Sequence, residues 1–193
     1  MSSRPLDLVA VGCSWGGLAA SGALLEALPA DFDVPIVIVQ HRSEIRSVLS
    51  ELLGRHTART VVEPDDKEQL RRGHVYVAPP GYHLLLDRAG FSLATEAPVR
   101  YSRPSVDVLF ESAAAAFGPR MAAVVLTGAN DDGANGLRLV AAAGGLALVQ
   151  DPGTAERSAM PAAALAAVPA ALVADIPGLG RLLAASVERP EVR

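Results

Sequence analysis

The sequence predicts an α/β fold: a mostly parallel, doubly wound sheet with helices on both faces and an appended antiparallel hairpin. Three observations predict it. Short apolar runs without polar alternation recur along the chain, as strands buried on both faces require. Helix-period segments separate these runs, so right-handed crossovers and a parallel sheet follow. One central stretch interrupts the rhythm with closely spaced turn signals.

Taken in order, the first strand is Leu8–Gly12 and the helix after it Leu18–Leu28. The second strand is Pro35–Gln40, followed by a helix over Ile45–Leu53. The stretch "GHVYVAPPGYHLLLDRAGFSLA" (Gly73–Ala94) reads as short strands broken by Pro-Pro-Gly and by Asp-Arg-Ala-Gly. The second break is a hairpin signal, and the whole stretch is expected to form an antiparallel ribbon. A helix over Ser105–Phe117 leads to the strand Ala122–Thr127, and Gly136–Ala143 forms the helix beyond it. Leu146–Gln150 and Ala171–Ala174 are further strands. The alanine-rich segments Ala113–Ala116 and Ala162–Ala167 suit helices packed closely on a sheet, and the terminal ERPEVR is expected to fray.

Composition narrows the function. A chain of 193 residues suits one domain with a full core, about residues 6–186. A net charge of −4 argues against nucleic acid as a partner, since binding its backbone needs a basic surface. A single cysteine allows neither an internal disulfide nor a cysteine metal cluster. The N-terminus lacks the pattern of a secretory signal, and no apolar run reaches the ~20 residues that span a bilayer. The expectation is a cytoplasmic protein without membrane insertion, a monomer in the simplest case.

Ligands of open parallel sheets bind beyond the carboxyl ends of the strands. The first strand is followed there by Gly12-Cys13-Ser14-Trp15-Gly16-Gly17, the second by His41-Arg42. The third is followed by Gly128-Ala129-Asn130-Asp131-Asp132-Gly133, the fourth by Asp151-Pro152-Gly153. A serine, a histidine and aspartates therefore converge on one edge. A serine hydroxyl needs a base to become a nucleophile, and a carboxylate on the far ring nitrogen orients that base. Backbone N–H groups at a helix start can stabilise an oxyanion. Gly12-Cys13-Ser14-Trp15-Gly16 also matches G-x-S-x-G between strand and helix. The order serine, histidine, acid differs from that of ordinary α/β-hydrolases.

Other readings stay open at this point. A glycine-rich first turn can cradle a dinucleotide, although Ser14 stands where the middle glycine should be and no acid ends the second strand. His41 can be a structural histidine, and one of Asp131 and Asp132 is expected to cap the helix at Gly133–Ala143. Cys13 reads as a small buried residue, and His74 and His83 as structural members of the ribbon. His56 reads as a charge partner at a helix C-terminus. Trp15 is either a core aromatic or the wall of a substrate pocket. The histidines offer no compact metal-ligand spacing.

From about Leu8 to about Leu183 the sequence resembles the catalytic domain of the chemotaxis protein-glutamate methylesterases of the CheB type. The resemblance rests on the order and spacing of "VGCSWGG", "IVIVQHR", "GHVYVAPPGYHLLL", "RPSVDVLFESAAAAFG", "VVLTGANDDGANGL" and "GGLALVQDPGTAERSAMPAAAL". It implies Ser14 as nucleophile, His41 as base and Asp132 as the third member of a triad. It implies oxyanion binding or a substrate pocket near Trp15, Gly16 and Ala129, with no cofactor and no metal. It implies hydrolysis of glutamate γ-methyl esters, with glutamine deamidation in many members. The implied substrates are methylated chemoreceptor cytoplasmic domains or similar signalling proteins. A methyltransferase or response regulator on another chain is a candidate partner. The family's receiver domain is not expected in this chain. Two departures stand out: Trp15 replaces a threonine, and Ala129-Asn130 replaces Met-Gly. The alternative to an esterase is a binding module that has lost turnover.

Overall fold

The structure is a computed structural model that describes residues 6–41 and 48–187. Seven strands form one parallel sheet: β1 (Leu8–Cys13), β2 (Ile36–Gln40), β3 (Thr60–Val62), β4 (His74–Val77), β7 (Met121–Val125), β8 (Leu146–Gln150) and β9 (Leu172–Ala174). Their spatial order is β3-β4-β2-β1-β7-β8-β9. Two more strands, β5 (His83–Leu86) and β6 (Phe91–Ala94), pair antiparallel beside it, with Leu86 opposite Phe91. The helices are α1 (Gly17–Ala27), α2 (Leu49–Gly54), α3 (Val106–Phe117), α4 (Ala134–Ala142), α5 (Ala159–Ala167) and α6 (Ile176–Ala185). Among the described residues no helix is long and apolar enough to cross a membrane.

Successive side chains of a strand point to opposite faces. Val9 and Val11 of β1 pack with Leu24 and Leu25 of α1, Leu53 of α2, and Leu179 and Leu183 of α6. Leu8 and Ala10 pack on the other face with Leu109 and Phe110 of α3, Leu137 of α4, Ala164 of α5 and Phe91 of the hairpin. Both faces are covered, which is why β1 reads as an unbroken apolar run.

The chain starts in the centre of the sheet, runs outward through β2 to the edge strand β3, inserts β4 between them, and crosses to the other side of β1 as β7. The order therefore reverses at β1, and the crevice at such a reversal lies at the strands' carboxyl ends. Register brings those ends level: Gly12 pairs with both Val39 and Val125, and Cys13 with Gln40. Gly12 also admits α3, since a Cβ there would lie 2.2 Å from Cγ1 of Val106. The helix start is thereby drawn in beside the end of β1.

Three expectations change. The segment His74–Val77 is not part of an antiparallel ribbon: it is β4, parallel to β2 and β3. Pro79-Pro80-Gly81 carries the chain off the main sheet before the hairpin begins, and the Tyr76 and Phe91 rings meet at 4.6 Å across the junction. Neither Asp131 nor Asp132 caps α4, as detailed below. The helix expected over Ile45–Leu53 is Leu49–Gly54 as far as it is described; residues 45–47, like Arg42 and the terminal ERPEVR, lie outside the described residues. Two elements go beyond those expectations, although Asp175-Ile176-Pro177 is a local helix-start signal for α6. β3 is only three residues long, and α6 carries Gly178 and Gly180, which weaken helix propensity. Gly180 is needed for packing, because a Cβ there would lie 2.7 Å from Cβ of Ala27.

Candidate active site

Ser14 is the first residue beyond β1. Its N–H donates to the carbonyl of Thr127 at 2.9 Å, and its carbonyl accepts from the N–H of Gly17 at 2.8 Å. The turn is completed by Gly16 at φ 76°, a left-handed conformation that favours glycine. Glu156 closes over Gly16 so tightly that a Cβ would lie 2.6 Å from its Oε2. Gly128 plays the same part on the other side: a Cβ there would meet Met160 Sδ at 1.9 Å and Ser14 Cβ at 3.0 Å.

His41 is the first residue beyond β2, and its N–H donates to the Cys13 carbonyl at 3.0 Å. The His41 Nε2 lies 2.7 Å from Oδ2 of Asp132, whose residue is 1% exposed. Asp132 arrives from the loop after β7. Its carboxylate also accepts from the Ser105 hydroxyl (2.9 Å) and from the N–H groups of Val106 (2.7 Å) and Asp107 (2.9 Å). An ionised carboxylate can only accept, so Nε2–H donates to it and Nδ1 is left as the acceptor of the neutral ring. Nδ1 meets Nδ2 of Asn130 at 3.3 Å. The Asn130 carboxamide is oriented by its own Oδ1, which accepts from the Asp132 N–H at 3.2 Å.

Two carboxylates hold the helix starts reciprocally. Asp132 stands just before α4 yet receives the first N–H groups of α3. Asp107, in the first turn of α3, receives the N–H groups of Gly133 (3.0 Å) and Gly136 (2.7 Å) at the start of α4. This cross-capping is why neither Asp131 nor Asp132 serves α4, whose N-cap residue is Gly133 at φ 98°. Burial alone would raise the Asp132 carboxyl. The hydrogen bonds from His41, Asp107 and Val106 outweigh it and hold that carboxyl below the usual range. Asp107 moves the other way: burial, helped by the nearby Asp132 charge, raises it despite its N–H donors and Arg100. Arg100 ties the rim together, contacting Asp107 at 3.3 Å and bonding the exposed Asp131.

Trp15 is not a core residue. It is 58% exposed, its indole N–H donates to Glu156 Oε1 at 2.7 Å, and the Arg157 guanidinium lies 5.4 Å from its ring centre. Ala129 is exposed beside Asn130. Cys13 is buried against Ser21, and burial pushes its thiol up to about 12. His56 pairs with Glu26 at 2.7 Å, His83 is buried with Nε2 on the Ala97 carbonyl, and His74 bonds the Arg72 carbonyl. No group of three metal-ligating side chains occurs among the described residues.

Ser14, His41 and Asp132 thus reach one edge, with His41 and Asp132 in direct contact. Among the described residues the Ser14 hydroxyl makes no hydrogen bond, and the His41 nitrogen not bonded to Asp132 meets Asn130. Sequence reasoning missed Asp107 and Ser105. Ser-x-Asp before an apolar run signals an ordinary helix start, and nothing local says that these groups bond a loop some 25 residues away.

The fold and edge define a doubly wound α/β domain carrying a serine, a histidine and a carboxylate at its topological switch. The chain belongs to the CheB methylesterase family, whose model matches residues 9–183. It is 44% identical over 165 residues to a Leptospira interrogans protein named "Putative protein-glutamate methylesterase/protein-glutamine glutaminase", covering 83% of this chain and 84% of that one. It is 42% identical over 162 residues to the Saccharophagus degradans protein-glutamate methylesterase/protein-glutamine glutaminase 1, covering 82% of this chain and 44% of that longer protein. The Thermotoga maritima CheB methylesterase catalytic domain superposes with a TM-score of 0.87 at 29% identity, covering 94% of this chain and 99% of that one.

Proposed function

We propose that the chain is a serine esterase that hydrolyses γ-methyl esters of glutamate side chains on chemoreceptor-like proteins, and that it deamidates glutamines by the same route. Membership of the CheB methylesterase family supports the reaction class. The buried Asp132–His41 pair at 2.7 Å, on the edge that carries Ser14, is the observation that carries the residue roles.

In this reading Nδ1 of His41 takes the Ser14 hydroxyl proton while Oγ bonds to the ester carbon. The carbonyl π pair moves to oxygen. Asp132 stabilises the imidazolium through Nε2–H. The Ser14 N–H is committed to Thr127, so it is no oxyanion donor. The N–H groups of Trp15 and Ala129 donate no hydrogen bond among the described residues and fill that role. Collapse of the tetrahedral adduct breaks the carbon–methoxide bond, and Nδ1–H protonates the departing oxygen to give methanol. Water attacks the acyl-enzyme and yields its proton to His41. The second collapse returns that proton to Ser14 Oγ and frees the glutamate carboxylate. With a glutamine substrate the leaving group is ammonia. The exposed Trp15, clamped by Glu156 and Arg157, forms one wall of the substrate site. A cytoplasmic location and a methyltransferase that supplies the ester accord with this chemistry.

Methanol release from receptor cytoplasmic fragments carrying methylated glutamates tests the proposal. Ser14→Ala should lower turnover by at least about a thousandfold with the fold intact. Undiminished release from Ser14→Ala would exclude Ser14 as nucleophile. A stoichiometric complex with no release would favour a binding module.

A further inference from the structure

We infer that Asn130 is a latch on the base: in the resting protein its carboxamide occupies the His41 lone pair that must receive the Ser14 proton. The inference rests on the esterase reading and assigns the side chain at this position a role in timing.

Three observations carry it. First, both nitrogens of His41 are engaged, Nε2 by Asp132 at 2.7 Å and Nδ1 by Asn130 Nδ2 at 3.3 Å. A neutral imidazole has one in-plane lone pair to give, so a donor on Nδ1 excludes a second donor there. Ser14 and Asn130 therefore compete for one site. Second, the carboxamide cannot be turned over at no cost. Its Oδ1 accepts from the Asp132 N–H, so the orientation presenting Nδ2 to His41 is the one the neighbouring backbone selects. Third, the side chain is not a by-product of a strained turn. Asn130 is not among the non-glycine residues with positive φ, so this backbone does not need glycine. An alanine fits the same turn and lacks only the amide.

Asn130 thus acts through His41 and is a positioning residue. The side chain must swing from Nδ1 before proton transfer, so some of the barrier is spent on one hydrogen bond. A neutral hydrogen bond of this kind corresponds to a change of about threefold to tenfold in rate.

The experiment reads the acylation rate of Ser14 by a fluorophosphonate, which needs no receptor and isolates the proton-transfer step. It is run on the wild type, Asn130→Ala and Asn130→Asp, each checked by thermal melting. Asn130→Ala frees Nδ1 and should be labelled about threefold to tenfold faster. Asn130→Asp keeps the acceptor for the Asp132 N–H but has no donor for Nδ1. Its carboxylate instead favours a proton on Nδ1, which leaves no lone pair for the serine, so labelling should slow. A purely structural Asn130 predicts the reverse pattern: slower labelling and a lower Tm in Asn130→Ala, and wild-type behaviour in Asn130→Asp. That pattern, or equal rates in all three folded proteins, overturns the latch. As a further readout, the ¹⁵N shift of His41 Nδ1 should move toward that of an unbonded nitrogen in Asn130→Ala. Absence of Ser14 labelling in the wild type and Asn130→Ala alike would instead strike the esterase reading itself, and the latch with it.

Discussion

Gly128→Ala tests whether the floor beneath Ser14 is packed as tightly as the geometry says. A Cβ at residue 128 lies 1.9 Å from Met160 Sδ, 2.7 Å from Met160 Cγ and 3.0 Å from Ser14 Cβ. Ordinary contact needs about 3.5–4.0 Å, so the overlap with sulfur is about 2 Å. Retreat is restricted on both sides. Met160 is 1% exposed, its N–H donates to the Gly128 carbonyl at 3.0 Å, and the Gly128 N–H donates to Arg157 at 3.0 Å. Overpacking of this kind costs about 1–3 kcal/mol. In a chain of this size each kcal/mol lowers Tm by about 2–4 °C, so a fall of about 2–12 °C is expected. Ser14 must also yield, and a displacement of about 1 Å near reacting groups costs about a hundredfold. A shift of a few tenths of an ångström should slow Ser14 acylation by up to about tenfold.

Met160→Ala supplies the control. Alone it should cost about 2–5 kcal/mol, by opening a cavity. In the double variant the new methyl group enters the vacated space, so the two costs should combine to less than their sum by more than the ~0.5 kcal/mol seen for independent sites. Thermal melts and fluorophosphonate labelling of the four proteins decide it. Wild-type melting and labelling in Gly128→Ala, or strict additivity in the double variant, would refute the packing argument.

Three further outcomes are expected. The folded-state pKa of Asp132 lies below its unfolded value of about 3.9, so its stabilisation is complete above that value and disappears as pH falls through the folded pKa. Acid unfolding of Asp132→Asn should therefore be less steep below about pH 4 than that of the wild type, and a steeper curve would contradict the sign. Asp107→Ala strands two N–H groups of α4 and removes a partner of Arg100, so urea titration should show a loss of about 2–4 kcal/mol; a change under about 0.5 kcal/mol would mean water replaces the cap. Burial that pushes the Cys13 thiol up to about 12 should leave it inert to a thiol reagent at pH 8 until denaturant unfolds the chain, and stoichiometric labelling of the native protein would count against it.

The parallel α/β class and the edge that carries Ser14, His41 and Asp132 were legible in the sequence by itself. Strands covered on both faces leave unbroken apolar runs, and a parallel connection forces the residues after each run to the same edge, whatever the strand order. Tertiary structure alone decided the rest. His74–Val77 is four residues long, and whether it pairs with β2 or with the following hairpin depends on Ile36 meeting Val75, some 40 positions away in the chain. The cap of α4 comes from Asp107 because Gly12, Gly133 and Gly136 let α3 approach closely, and a local motif carries no record of that approach. The contact between Asn130 and His41 likewise joins residues 89 apart. Periodicity and turn chemistry are short-range properties of the chain, whereas the hydrogen bonds that orient His41 depend on which distant segments the packed sheet brings into contact.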